Sequence, residues 1–352
     1  MATSVESPGS EQSWQKLLKP YREPVLARSI WQLVNTLVAY FVTWALMIWS
    51  LDQPYWLTVV LGAFAGLLTV RLFIINHDCG HQSFFKSRRA NDIVGFWTGA
   101  MAFTPYLQWR HGHAIHHAKS GQIEDAGIGY FWVMGLEEFQ NAAWYERMWY
   151  RFYRNPFVLF SVGGLWLFLC EFRLSFRSIN WRQRFGVWAN NVVWVIVLYG
   201  LSEVLGWSAI FDIFAPLTVS AAFWGLSLFY VQHHYDHAYW APAAEWDYVR
   251  AALEGSSYLK MNPVAEWFAG YINYHHIHHL APKIPNYRLR EAHLAIPMFQ
   301  AVPTLTWATV LKSWRLRLVN EQTHLWSDYS DRRPTDAALA RQAAEQEPAL
   351  SA

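Results

Sequence analysis

The sequence predicts an all-α fold, that of a polytopic membrane protein with four transmembrane helices. Three observations support this class: long apolar stretches, low charge and many interfacial aromatic residues. Only 15% of the 352 residues are charged, whereas soluble domains have roughly 25%. The chain has 22 Trp and 18 Tyr, which are enriched where membrane proteins meet the lipid–water interface. A mean hydropathy of only +0.04 indicates that the apolar spans alternate with long polar segments at the membrane surface.

Four stretches have the length of about 20 residues that carries a helix across roughly 30 Å of hydrocarbon. They are residues 30–51, 56–75, 186–204 and 209–231. Two shorter apolar pieces, 93–106 and 157–170, have a length typical of interfacial or re-entrant segments. We therefore predict four spans and additional interfacial helices.

The distribution of basic residues predicts the orientation of these spans. The loops 52–55 and 201–210 contain no Lys or Arg, which is typical of the outer side. Basic residues instead flank the other ends of the spans, at Lys16, Lys19, Arg22, Arg28, Lys86, Arg88, Arg89, Arg173, Arg177, Arg182 and Arg184. Both termini are therefore expected to be cytoplasmic. Arg71, near the inner end of the second span, is interpreted as snorkelling to the interface, with an intramembrane functional role as the alternative.

The predicted organisation has three parts. Residues 1–29 form a polar cytoplasmic N-terminus, 30–325 a membrane domain with a cytoplasmic helical cap, and 326–352 a charged, disordered tail. The chain has only two cysteines, without CxxC spacing, so neither a disulfide scaffold nor a cysteine zinc site is expected. No dense run of Lys and Arg indicates nucleic-acid binding.

Histidine clusters carry the chemistry. The chain has 15 histidines, and most of them fall in four short motifs. These are HDCGH at 77–81, HGHAIHH at 111–117, HHYDH at 233–237 and HHIHH at 275–279. On a helix, an i, i+4 pair such as His77 and His81 places both imidazoles on one face, where they can share a metal ion.

The pattern H-x-x-H-H occurs twice, ending at His117 and at His279. Adjacent helical side chains point about 100° apart, so one motif can offer two imidazoles to one ion and the third to a neighbouring ion. The sequence therefore predicts a dinuclear site in the cap, for which imidazole ligands suit Fe, Zn and Cu alike. The candidate ligands and catalytic residues are His77, His81, His113, His116, His117, His233, His275, His278 and His279.

The predicted topology places all four motifs on the cytoplasmic side. If residues 93–106 crossed the membrane, the first two motifs would face opposite compartments and could not share metal. Polar residues beside the motifs could orient the imidazoles or could be solvated; they are Asp78, Glu124, Asp125, Asp236, Glu254 and Asn273. The other histidines are expected to be solvated or hydrogen-bonded rather than ligands; they include His111, His234, His276, His293 and His324.

The motifs NHDCGHQSFF, WRHGHAIHHAKSG and YHHIHHLAPKIPNYRL resemble the three histidine boxes of the membrane fatty acid desaturases. The resemblance extends over residues 20–293 and is nearest to the bacterial and cyanobacterial acyl-lipid omega-6 (delta-12) group. It implies two Fe ions held by the nine histidines, with His233 as the ligand before the third box. It also implies O2 as co-substrate, a lipid acyl chain as substrate and a bacterial inner-membrane location.

Electrons must then come from a separate protein. The sequence has neither a G-x-G-x-x-G motif after a strand nor an HPGG motif, so a ferredoxin-like or cytochrome b5-like donor is implied. It could dock on the basic cytoplasmic face.

Two other functions stay open from the sequence. The same metal centre could hydroxylate lipids or carotenoids, or form ketones from them. A non-enzymatic membrane metal binder or transporter is an alternative of another class. A transporter is expected to carry ionisable residues at mid-bilayer, and the four predicted spans have few of them.

Overall fold

The computed structural model describes residues 12–122, 131–323 and 325–330. Within these ranges the chain is mainly helical. The α-helices are α1 (Gln12–Leu18), α2 (Leu26–Trp49), α3 (Tyr55–Gly80), α4 (Arg88–Met101), α5 (Tyr106–Lys119), α6 (Leu136–Asn141), α7 (Trp144–Tyr153), α8 (Gly164–Leu169), α9 (Trp181–Leu205), α10 (Trp207–His233), α11 (Tyr248–Leu253), α12 (Pro263–Phe268), α13 (His275–Leu280), α14 (Asn286–Ala295) and α15 (Trp307–Ser313).

Four of these helices, α2, α3, α9 and α10, are long and apolar enough to cross a membrane. They correspond to the four predicted spans, and the four-span prediction is confirmed. The boundaries differ by a few residues. The largest differences are five residues: α9 begins at Trp181 rather than at residue 186, and α3, predicted to end at residue 75, continues to Gly80. The end of α3 contains the polar residues Asn76, His77 and Asp78. A hydropathy pattern places the end of the span before such residues, although the helix continues through them.

Helix α3 lies at the centre of the bundle and packs along α10. Gly62 and Gly66 permit this close approach: a Cβ at Gly66 would lie 2.5 Å from the Cβ of Ser220. The Ser220 hydroxyl donates a hydrogen bond of 2.8 Å to the Ala63 carbonyl across the same contact. By contrast, α9 has the smallest buried share of the four spans. The packing of α3 on α10 therefore fixes the relative positions of their histidine-bearing ends.

Arg71 does not reach the interface by snorkelling. Its side chain is buried. The guanidinium donates to the Thr36 hydroxyl of α2 at 2.9 Å and to the Trp267 carbonyl of α12, and it lies 4.1 Å from the centroid of the Trp267 ring. Protein groups therefore take the place of water and lipid headgroups, and Arg71 connects two spans to the cap.

The two shorter apolar pieces do not form long helices. Helix α4 has 14 residues, or about 21 Å at 1.5 Å per residue, less than the hydrocarbon thickness. Helix α7 and the segment Val158–Arg173 are separated by a bend of 73°, an arrangement of a re-entrant or broken span. Residues Val158–Gly163 form a π-helical turn there, a feature often found at functional sites.

The remaining polar segments form a mainly helical cap with a few very short strands. These strands are β1 (Met134–Gly135), β2 (Tyr258–Leu259), β3 (Thr304–Leu305), β4 (Leu318–Val319) and β5 (Trp326–Ser327). β4 pairs in parallel with β1 and antiparallel with β5, while β2 pairs in parallel with β3. The core under α13 is apolar and contains Ile277, Leu280, Leu289 and Phe299.

The predicted boundary at residue 325 falls inside the β1–β4–β5 sheet. Trp326 is buried there, with its ring 4.1 Å from the His234 ring and 5.5 Å from the Trp240 ring, centroid to centroid. This packing continues the ordered chain past the predicted start of the tail. The rest of the predicted tail, 331–352, and the first part of the N-terminus, 1–11, lie outside the described residues.

Candidate metal centre

Four helices bring the histidine motifs together at one end of the bundle. His77 lies in the last turn of α3, and His81 is the first residue after that helix. The second motif lies in α5, and His233 is the last residue of α10. The third motif forms α13, which begins at His275. Three of the motifs lie on a helix or at its end, as the spacing of their histidines predicts, whereas HHYDH leaves the helix after His233.

The nine candidate histidines form two groups, and within each group the ligand atoms lie within 4.8 Å of one another. The first group contains His77, His81, His113, His117 and His278, and the second contains His116, His233, His275 and His279. The second motif thus contributes two imidazoles to the first group and one to the second. The third motif does the reverse. This is the division that the H-x-x-H-H spacing predicts.

The imidazole nitrogens converge closely. The Nε2 atom of His117 lies 3.1 Å from that of His113 and 3.0 Å from that of His278. In the second group, the Nε2 atoms of His233 and His275 are 3.0 Å apart. The two groups are contiguous, because the rings of His117 and His279 stack with centroids 4.2 Å apart.

The donor set fits a pair of metal ions. The Nε2 atoms of His77, His81 and His279 are buried and have no hydrogen-bond partner among the described residues, a costly state unless an ion accepts their lone pairs. Burial lowers the pKa of His81, His113 and His278 well below the usual value, and the neighbouring imidazoles lower it further. These imidazoles are therefore neutral at physiological pH, the form that binds metal.

One of the flanking acids contacts a candidate ligand. The Oδ1 atom of Asp78 lies 3.1 Å from Nδ1 of His77, and its Oδ2 accepts the backbone N–H of Asn286 at 2.6 Å. Asp78 thus orients His77 and ties α3 to the cap. The Nδ1 atom of His233 lies 3.1 Å from the Gly255 carbonyl, a second such contact.

The other flanking residues have different partners. Asp236 pairs with Lys312, and Glu254 pairs with Arg250 at 3.1 Å. The Asn273 amide donates to the Leu259 carbonyl at 3.0 Å. The remaining two acids, Glu124 and Asp125, lie outside the described residues.

The histidines predicted not to be ligands belong to neither group. His234 stacks on Tyr230 with ring centroids 4.0 Å apart. His293 Nδ1 lies 3.4 Å from His276 Nε2, and His111 lines a cavity beside the centre. His324 lies outside the described residues.

A cavity of about 890 Å³ opens against the histidines. His77, His113, His116 and His275 form part of its wall, and most of the remaining lining is apolar. Aromatic and small residues that the sequence analysis did not identify complete the wall, among them Phe73, Trp109, Phe131, Gly225 and Phe229.

Trp109 is the cavity residue that the sequence could have indicated. It lies one helical turn before His113, and its ring stacks on that imidazole with centroids 4.5 Å apart. Gly225 and Phe229 lie within the apolar sequence of α10. The apolar pattern there does not distinguish a residue facing a cavity from one facing lipid.

Comparison with known proteins agrees with this architecture. Residues 53–308 match the family model described as fatty acid desaturase. The chain is 39% identical over 306 residues to a fatty acid desaturase of Bacillus subtilis, with 87% of each chain covered. It is 29% identical over 256 residues to an sn-1 oleoyl-lipid 12-desaturase of Synechocystis sp., with 68% of each covered.

A third relative, an sn-1 acyl-lipid omega-3 desaturase (ferredoxin) of Synechocystis sp., is 28% identical over 265 residues, covering 70% of this chain and 68% of the relative. The family match begins just after the first candidate span and contains the other three spans and all four histidine motifs. The protein therefore belongs to the fatty acid desaturase family and is an oxidoreductase.

Proposed function

We propose that the protein introduces a double bond into a lipid acyl chain, using O2 and two Fe ions bound by the nine histidines. The observation that carries this proposal is the meeting of two imidazole groups with one apolar cavity. In balanced form, –CH2–CH2– + O2 + 2 e⁻ + 2 H⁺ gives –CH=CH– + 2 H2O. A pair of Fe ions would supply the O2 activation needed to attack an unactivated methylene.

The histidines have distinct tasks in this proposal. His77, His81, His113, His117 and His278 would hold one ion, and His116, His233, His275 and His279 the other. Asp78 keeps His77 in the orientation and tautomer required for binding. Because most of the imidazoles are buried, the centre limits access of bulk water, which protects the reaction from wasteful side reactions.

The cavity has the size and chemistry expected for an acyl chain. Its volume of about 890 Å³ lies in the range of ligand pockets, roughly 300–1,000 Å³. Apolar walls such as Phe73 and Phe229 would bind methylenes without directional contacts. Glu171 and Arg177 also line it and pair with each other at 2.5 Å, which would place the polar end of a lipid at that part of the wall.

Location and electron supply belong to the same proposal. The basic residues flanking the spans support a cytoplasmic position for the metal centre and both termini, and the relatives from Bacillus subtilis and Synechocystis sp. support a bacterial inner membrane. A ferredoxin-like or cytochrome b5-like protein would supply the two electrons, in keeping with the ferredoxin in the name of one Synechocystis relative. The organisation into 1–29, 30–325 and 326–352 remains a prediction except at its last boundary, because β5 (Trp326–Ser327) belongs to the sheet of the cap.

Fatty acid analysis of a host expressing the chain tests the proposal. Wild-type cells are expected to gain unsaturated fatty acids, and cells expressing His278→Ala at the same membrane level are expected to gain none. Hydroxylated or keto products alone would instead assign the centre to a hydroxylase or ketolase. Identical lipids in all cells, with metal bound to the protein, would favour a non-enzymatic metal binder.

A further inference from the structure

A cluster of cationic side chains lies at the surface beside the first histidine group. Lys283 follows α13 and is exposed, and its ammonium donates a hydrogen bond of 2.7 Å to the backbone carbonyl of His81. Arg88 begins α4 and is exposed. Arg110 lies in α5, three residues before His113, and is partly exposed. We call Arg88, Arg110 and Lys283 the Lys283 patch.

The charges of the patch act on one another. Lys283 lies against His81, and Arg110 lies against the neighbouring Gly80, where an added Cβ would be 3.8 Å from the Arg110 Cγ. Arg88 lies one helical turn before Asp92 in α4. Asp92 pairs with Arg110 at 3.3 Å and offsets one of the three positive charges. The remaining excess of like charge is unfavourable in the isolated protein, and an acidic surface would relieve it.

The position of the patch matches a requirement of the reaction. Two electrons must reach a centre whose imidazoles are mostly buried. Lys283 connects the protein surface, through a single hydrogen bond, to the main chain of a residue of the first group. A partner bound over Lys283 would therefore have a short path to that group.

We propose that the Lys283 patch is the docking surface for a small acidic one-electron carrier protein. The inference rests on the proposed desaturase function. Two reduced carriers dock in turn, each loses one electron and leaves oxidised. The two electrons, with two protons from solvent, complete the reduction of O2 to two water molecules.

A lipid headgroup is the competing occupant, and the geometry favours the protein. The face of α4 that continues from Arg88 exposes Ile93 and Trp97, which are suited to contact lipid. Lys283 and Arg110, however, belong to the loop and helix that surround the histidines rather than to that face. A carrier, unlike a lipid, also has a reason to lie next to the metal centre.

Steady-state kinetics with the metal-loaded protein in lipid nanodiscs test the proposal, with reduced ferredoxin as the acidic carrier. Arg88→Glu and Lys283→Gln are each expected to raise the KM for ferredoxin by about fivefold or more, since charges at such a surface act mainly on association. The kcat at saturating ferredoxin should stay within about twofold. The control Arg315→Glu alters an exposed cation between α15 and β4 and should leave both constants unchanged.

A second measurement separates this inference from the function on which it rests. Dithionite reduces the centre without a protein partner, so one addition of O2 should give wild type and Arg88→Glu equal amounts of unsaturated product. No product from the wild type would refute the proposed function and the docking surface with it. Normal product with an unchanged KM for ferredoxin in both patch variants would overturn the docking surface alone. If the turnover rate instead depended on the anionic-lipid content of the nanodisc while the KM for ferredoxin stayed constant, the patch would be a lipid-binding surface. That result would also overturn the docking surface.

Discussion

The structure shows which histidine of the HHYDH motif is the candidate ligand, namely His233. The stretch HHYDH offers three histidines, and spacing alone does not separate them decisively. His233 ends α10, where its Nε2 meets His275 and its Nδ1 faces the Gly255 carbonyl. His234 points to Tyr230 and Trp326, and His237 is exposed. Two adjacent residues at the end of α10 therefore differ: His233 is a candidate ligand, whereas His234 packs against aromatic rings.

The same substitution at two positions of this motif tests the assignment. His233→Asn is expected to lower iron content and to reduce desaturation by at least about 100-fold, because loss of an outer partner alone typically costs 10–100-fold. His237→Asn is the control. Its φ of 62° is a conformation that Asn tolerates, so iron and activity should be retained.

Metal analysis of the purified variants and fatty acid analysis of their hosts provide the readouts. Equal iron in both variants would remove His233 from the second group. Loss of iron in both would show that the motif matters for folding rather than through one imidazole.

At the residue scale, sequence reasoning found the histidines but few of their supports. Asp78 was among the residues that could orient an imidazole or be solvated, and it contacts His77. For Asp236 and Glu254 the same two alternatives were open, and both pair with cations instead. Both hydrogen-bond partners of Arg71, the Thr36 hydroxyl and the Trp267 carbonyl, are distant in sequence. Such contacts depend on tertiary packing, which local patterns do not encode.

At the scale of elements, the spans were predictable because hydrocarbon thickness sets their length. Their ends were less predictable, since α3 continues through polar residues that the protein itself buries. The division of each H-x-x-H-H motif between the two histidine groups was predictable from helical geometry. The sheet containing β5 was not, because its strands have only two residues each and β1 pairs with β4, which lies far along the chain.

The contact between α3 and α10 gives a test at this scale. Gly66→Val would place its Cβ 2.5 Å from Ser220 and 2.8 Å from the Ala221 backbone nitrogen, so the helices must separate. We expect a loss of about 1–3 kcal/mol in stability, the usual cost of overpacking, together with reduced iron binding because the two helices carry ligands of different groups.

Gly200→Val is the matched control for that substitution. It introduces the same β-branched residue into the helix α9, at a position where a Cβ has nothing within 4 Å. Thermal unfolding in detergent, measured beside iron content, compares the two variants. Equal destabilisation of both would mean that helix propensity, rather than the α3–α10 contact, sets the cost.

At the scale of the whole molecule, the histidine groups and the apolar cavity form only where the spans meet the cap. Histidines from the ends of α3 and α10 meet those of α5 and α13. The cavity runs from these imidazoles into the apolar region between helices. The sequence predicted the convergence of the motifs through their common side of the membrane. It did not predict the cavity, because an inward-facing apolar residue has the same pattern as a lipid-facing one.

Metal content of the purified full chain tests the central claim most directly. Elemental analysis by mass spectrometry, with protein quantified by amino-acid analysis, is expected to give two iron atoms per chain, one for each histidine group. A single ion per chain, or zinc in place of iron after production in iron-replete medium, would contradict the dinuclear iron centre.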